Sequence, residues 1–375
     1  CEEMLTDVQH LDKLISKINT SYFEKIPQRT IKYKFFAISA FVAAGLFLLL
    51  LMYFVIKQVD SILNSNELEK FKKYSIQTLF TSDDNKYNLT EITRLPSNVL
   101  ANLNSISFSD DNNFAVIVAD SGYILNSFDG GNTWIKKNLA YKTNLSDVWT
   151  LKNGSAVIVG DSSSIFYGLK NLDSLITIPF EKGFTFFRVK FNKNHVGFIT
   201  GTKGTILKSL DGGLTWAKTK TNTKEIIFDV DFFDEKSGFA VGWNGTLLTT
   251  TNGGDNWYKI ENDKTDNYLK SIDLTEKGFG LIVGGDGTIL RTTDFGNNWE
   301  KLKLTFSGGF QKVKFIDDEY CMIVGSRGMM LVSKDKGETW NVVDSKIFSN
   351  LNGLTVNAYG KIFIIGVNGM IFRIQ

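Results

Sequence analysis

A short phrase recurs along this chain: a small residue, two residues, Gly or Ser, then a small apolar run. It reads ADSGYIL at 119, GDSSSIF at 160, GTKGTIL at 201, GWNGTLL at 242, GGDGTIL at 284, GSRGMML at 325 and GVNGMIF at 366. The spacings are 41, 41, 41, 42, 41 and 41 residues, so the architecture is periodic before any motif is weighed. Each unit holds the same order of short strands: an inner one such as FRVKF, a small apolar one such as GFAVG, the GTIL strand, and a WxK strand such as WAKT. Four short strands per unit, seven times over, predict an all-β seven-bladed propeller over residues 88–375.

The last unit runs only as far as its third strand, IFRIQ. A ring with an unfilled outer position would leave a bare sheet edge. Counting from one blade to the next places Ile92-Thr93-Arg94, in LTEITRL, where other blades have Trp-x-Lys. Residues 88–96 are therefore expected to close blade seven within a domain spanning 87–375.

Five units carry a box between the third strand and the WxK strand: SFDGGNTW, SLDGGLTW, TTNGGDNW, TTDFGNNW and SKDKGETW. The third place holds Asp129, Asp211, Asn252, Asp294 and Asp335. An Asn among the acids means that the shared property is a side-chain oxygen accepting from the turn's own N–H groups. The fifth place is Gly131, Gly213, Gly254, Gly296 and Gly337, as a turn with positive φ requires. The last is Trp134, Trp216, Trp257, Trp299 and Trp340, a large apolar face suited to the gap between blades, with an indole N–H able to reach a carbonyl. These boxes are read as turn locks. Blade two has lost its box and reads GLKNLDSL (168–175), which makes that stretch a candidate partner contact.

The boxes resemble the Asp-box, or bacterial neuraminidase repeat. The single ring with its repeated GxxGTILxSxDGGxTW pattern is most similar to the family of photosystem II stability and assembly factors, over residues 88–375. That resemblance implies a non-enzymatic propeller that holds a membrane-protein subunit during assembly. Residues 1–80 fall outside it.

Before the propeller, Phe35 to Ile56 form 22 residues without a charge, enough to cross a bilayer core of about 30 Å as a helix. Lys25, Arg29, Lys32 and Lys34 crowd the N-terminal flank, so the segment 1–34 is expected in the cytoplasm. The protein is then a single-pass protein of the inner (cell) membrane, with a stalk at 57–86 and its propeller on the periplasmic side. Met4, Val8, Leu11, Ile15 and Ile18 follow helical spacing, so the 4–18 helix is a possible site of self-association.

The net charge of +2 gives no reason to expect nucleic acid. Cys1 and Cys321 exclude a disulfide framework, and His10 and His195 lie far apart, so no metal or cofactor is implied. No catalytic residue is singled out. A sialidase-like site needs three converging arginines, and the candidates Arg94, Arg188, Arg291, Arg327 and Arg373 carry no motif for one. The alternative to a scaffold is a carbohydrate-recognising or glycoside-hydrolysing propeller, which would need a pair of acids about 5 to 10 Å apart.

For a binding ring, the free face of the innermost strands is the informative place. It carries Arg188 and Lys190 in blade three, Asp229 and Asp231 in blade four, and Lys312 and Lys314 in blade six. Two readings stay open: side chains that solvate the channel and pair with one another, or a polar funnel with separate basic and acidic sectors that touch a protein partner. On the second reading, reversing the four basic charges weakens partner capture with little loss of melting temperature.

Overall fold

The computed structural model describes residues 92–374 except 113, 140, 141, 153, 170, 305 and 306. All of them belong to the compact unit Leu79–Gln375. The 4–18 helix, the apolar run 35–56, the stalk and residues 88–91 lie outside the described residues. Among the described residues, no helix is long and apolar enough to cross a membrane.

The described residues build seven four-stranded antiparallel sheets, the blades of a propeller. Sequence dictates the role of each strand. The second strands, such as AVIVA (Ala115–Ala119), GFAVG (Gly238–Gly242) and IFIIG (Ile362–Gly366), are buried at every position. A strand covered on both faces reads as a continuous apolar run, because another layer lies above and below it. The layers here are neighbouring blades. One apolar cluster joins Val157 and Val159 of blade two to Val189, Ile199 and Leu207 of blade three, and another joins Phe239 and Val241 of blade four to Leu269, Ile272 and Ile282 of blade five. The core is thus a set of seams between blades, and each buried Val, Leu or Ile contributes about 1.5–3 kcal/mol.

Innermost strands alternate instead. Phe186–Phe191 sends Phe186, Val189 and Phe191 into the seams and leaves Arg188 and Lys190 facing the channel, with a bulge between Phe186 and Arg188. The outer strands are short and exposed, as Ala217–Lys218 illustrates.

Blade seven combines the two ends of the domain. Ile92–Leu95 pairs antiparallel with Ile371–Ile374, with Thr93 opposite Arg373 and Arg94 opposite Phe372. In blade three, Ala217 lies opposite Lys208 and Lys218 opposite Leu207, so Thr93-Arg94 occupies the register of Ala217-Lys218. Leu95 and Val99 pack with Phe363, Ile365 and Ile371 of the same blade. The amide of Asn352 also donates to the carbonyl of Leu103 at 3.0 Å, joining blade seven to blade one.

Deleting Ile92–Leu95 bares the third strand of blade seven and removes part of that cluster. The shortened protein should lose its single cooperative melt and partition to the insoluble fraction; a soluble product with the original melting temperature would show that the ring closes without this strand.

Candidate functional site

The boxes lie between the third and outer strands of their blades. Asp211 Oδ1 accepts from the N–H groups of Leu214 and Thr215 at 3.1 and 2.9 Å, and Oδ2 accepts from the Thr215 hydroxyl at 2.6 Å. Ser209 donates to Asp211 at 2.8 Å while accepting from the N–H of Gly213 at 2.8 Å. Asp129, Asp294 and Asp335 repeat the pattern. Asn252 keeps the acceptor with one oxygen, taking the N–H of Asn256 at 3.1 Å. Against burial, which raises it, the bonds from Thr215 and Ser209 bring the pKa of Asp211 down to about 2.

The box glycines have φ of 86°, 98°, 81°, 78° and 81°. A second reason for glycine comes from packing across the seam. A Cβ would stand 2.7 Å from Phe363 at Gly131, 2.6 Å from Val157 at Gly213, 2.4 Å from Phe198 at Gly254, 2.3 Å from Phe239 at Gly296 and 2.6 Å from Leu281 at Gly337. Each of these neighbours sits in the second strand of the preceding blade.

The tryptophans lie at the same seams. Trp257 is fully buried, with its ring 6.5 Å from Phe198 of blade three and 5.7 Å from Phe232 of blade four. The indoles of Trp216 and Trp340 donate to the carbonyls of Gly213 and Gly337, both at 3.0 Å. Those of Trp134, Trp257 and Trp299 are buried without an acceptor, so the carbonyl anticipated for every indole is met in only two boxes.

In blade two the missing box is filled from within. Leu172, at φ 67°, is fully buried, and Leu175 packs beside it with Val116, Ile158 and Phe166. Lys137 of blade one donates to its carbonyl. Leu172 of GLKNLDSL thus points inward, and the exposed apolar groups nearby are Leu169 and Ile176.

The channel charges form two layers. In the lower one, Arg188 reaches Asp147 of blade two at 3.1 Å and Asp229 of blade four at 2.9 Å, and Lys312 of blade six lies 3.4 Å from Asp229. In the upper one, Lys190 pairs with Asp231 at 2.5 Å and Lys314 with Asp273 at 2.8 Å. The carboxylates have a further task. Asp147 accepts the N–H of Val189 at 2.7 Å, Asp229 that of Ile272 at 3.2 Å, Asp231 that of Leu274 at 2.9 Å and Asp273 that of Phe315 at 2.8 Å. Each donor belongs to the innermost strand of the next blade, whose inner edge has no strand beside it.

Of the two readings of the channel, the geometry meets the first: Arg188, Lys190, Asp229, Asp231, Lys312 and Lys314 are brought together as partners of one another. These groups are mostly buried and charge reversal would set like charges side by side, so a loss of melting temperature is expected from it. Burial would raise the Asp229 carboxyl, but Arg188 and Lys312 hold it well below the usual carboxylate range. Burial and the nearby Arg188 lower Lys312 to about 8 and Lys270 also to about 8. Lys270 has no carboxylate partner among the described residues and sits 4.2 Å above the Phe228 ring.

The channel itself encloses about 240 Å³. At the end where the innermost strands finish, it opens into a cavity of about 680 Å³ between blades three, four and five, walled by Phe191, Phe232, Phe233, Leu274 and Phe295. Among the described residues, no group of His, Cys, Asp and Glu is placed to hold a metal ion. Arg94, Arg291, Arg327 and Arg373 lie on blades five, six and seven, and Arg291 is engaged by the carbonyl of Lys336 and by Glu300.

A profile of the photosystem II assembly factor YCF48 family matches residues 214–307. No curated protein matches the chain at a significant level. Among solved structures, YCF48 from Cyanidioschyzon merolae is similar with a TM-score of 0.64 and 19% identity, over 76% of this chain and 98% of that one. A YCF48 bound to D1 peptide gives 0.64 and 22%, over 77% and 95%. A streptogramin B lyase gives 0.67 and 11%, over 76% and 97%. An assembly factor and a lyase thus share this ring, and at such identities the likeness is one of fold.

Asp211→Asn keeps the acceptor and should cost less than Asp211→Ala, for which about 1 kcal/mol is expected in denaturant titrations. Because the box carboxyls have lowered folded pKa values, their stabilisation is complete above the unfolded value of 3.8 and is lost as pH falls towards about 2, a decline that Asp211→Asn should blunt. In the channel, Arg188→Glu should cost roughly 3–5 kcal/mol, whereas Lys270→Met should be neutral or stabilising at neutral pH. A lowered lysine pKa means that the folded state holds fewer protons between about 8 and 10.5, so stability rises with pH there and the advantage of Lys270→Met should shrink across that window.

Proposed function

We propose that this chain is a non-enzymatic, membrane-anchored propeller that acts as a scaffold or assembly factor for a membrane protein complex, through protein–protein binding. The observation that carries the reading is where the family match falls. Residues 214–307 include blades four and five, which wall the open cavity at the channel mouth. The apolar run 35–56 supplies the anchor, and its basic flank puts the propeller on the extracytoplasmic side.

The assembly role comes from likeness to YCF48, one of whose structures holds a D1 peptide. A sugar-cleaving reading needs a pair of carboxylates free to exchange protons. The acids nearest the cavity floor, Asp231 and Asp273, instead each accept a backbone N–H and a lysine.

Crosslinking of the full chain in native membranes followed by mass spectrometry should recover subunits of one membrane complex. Recovery of no protein, together with specific binding on a glycan array, would replace this reading with the carbohydrate one.

A further inference from the structure

The cavity at the channel mouth has a chemistry of its own. Its floor is the upper charge layer, where Lys190 and Lys314 are paired with Asp231 and Asp273. Its rim adds Lys193, which pairs with Glu276, and then Asp234 and Glu235. Five carboxylates thus face three ammonium groups. The Asp234 carboxylate accepts the N–H groups of Lys236 and Ser237, both at 2.7 Å, and these bonds, working against the effect of burial, keep it ionised. Glu235 is exposed and makes no side-chain hydrogen bond or ion pair among the described residues. The adjoining loop of blade six continues the same sign with Asp317, Asp318 and Glu319.

The second feature is Phe295. It fills the fourth place of the box TTDFGNNW, where three other boxes have Gly130, Gly212 and Gly253. Its φ of 59° is a conformation that a bulky side chain rarely adopts. Yet the ring is half exposed, resting edge-on against Phe233 at 5.5 Å. The box does not need this side chain in order to turn, since glycine is better suited there. What the ring adds is an apolar, electron-rich wall beside an acidic rim, a combination that attracts a cation carried next to an apolar group.

We infer that this mouth docks a protein partner through a segment in which a Lys or Arg lies beside a large apolar side chain. The apolar group seats on the exposed side of the Phe295 ring, and the cation lies along Asp234 and Glu235. The inference rests on the protein-binding reading above and names the partner chemistry for it.

The full chain in detergent is titrated into a labelled peptide, Gly-Arg-Phe-Lys-Leu-Gly, and followed by fluorescence anisotropy. Two control peptides replace both bases by Glu, or Phe and Leu by Gly. Each control should bind roughly tenfold more weakly. On the protein side, Glu235→Lys should weaken binding about fivefold and Phe295→Gly roughly tenfold. The melting temperature should be unchanged by Glu235→Lys, and unchanged or raised by Phe295→Gly because glycine relieves the backbone. Absence of binding, equal affinity for all three peptides, or folded variants that bind like the natural chain would each overturn the inference. Membrane crosslinking in parallel separates the two levels: proteins still captured by the natural chain while the peptide fails leave the scaffold reading standing, and capture of none removes it.

Discussion

The structure depends on one requirement. Every innermost strand is an edge strand, with backbone N–H groups aimed at a narrow channel and no further strand to take them. The ring meets that requirement sideways. Asp147, Asp229, Asp231 and Asp273 reach from their own blade to the N–H groups of the next, and Ser107 does the same for Thr150 at 3.0 Å. Four carboxylates gathered in a confined space would repel one another, so Arg188, Lys190, Lys312 and Lys314 lie among them. The charge pattern of the channel is thus a consequence of strand-edge chemistry, and it turns apolar packing between blades into a fixed register. Any docking function is left to the mouth, where Glu235 makes no side-chain hydrogen bond or ion pair among the described residues and Phe295 is half exposed.

The ring was legible because a propeller repeats its grammar. Each unit states its strand order again, so an ambiguous segment such as LTEITRL can be aligned by counting, and the pairing of Ile92–Leu95 with Ile371–Ile374 is found where the count leads. The role of Asn252 was legible for the same reason: five aligned boxes separate an acceptor oxygen from a negative charge. Positive φ at the box glycines followed from turn chemistry alone.

What could not be read is whatever depends on the neighbour across a seam. Nothing local to Gly296 announces that Phe239 stands where its Cβ would be. That the channel charges pair with one another could be anticipated, but which lysine meets which acid could not: Lys190 and Asp231 are 41 residues apart, and the wrap of the ring sets them side by side. Phe295 carried a legible signal, a bulky residue in the place other boxes give to glycine, but its meaning needed the cavity beside it. Leu172 is a similar case: loss of the motif in GLKNLDSL marked the stretch as unusual, but that a leucine would be buried in place of the box depended on the neighbouring blade.

The composite blade has a consequence for how the chain comes to be folded. Its outer strand leaves the ribosome before the rest of the ring and its other three leave after blades one to six, so that strand must wait through synthesis of the whole ring before it finds its place. Contacts between such distant parts of a chain form slowly, since the loop between them must close first. Until then the growing arc presents two unfinished flanks, the raw sheet edge of the newest blade and the apolar side of blade one that Phe363 and Ile365 will cover. Such flanks can join those of a second arc as readily as each other. For this chain, the hazardous moment of folding is the interval just before closure, and blade seven is the clock that ends it.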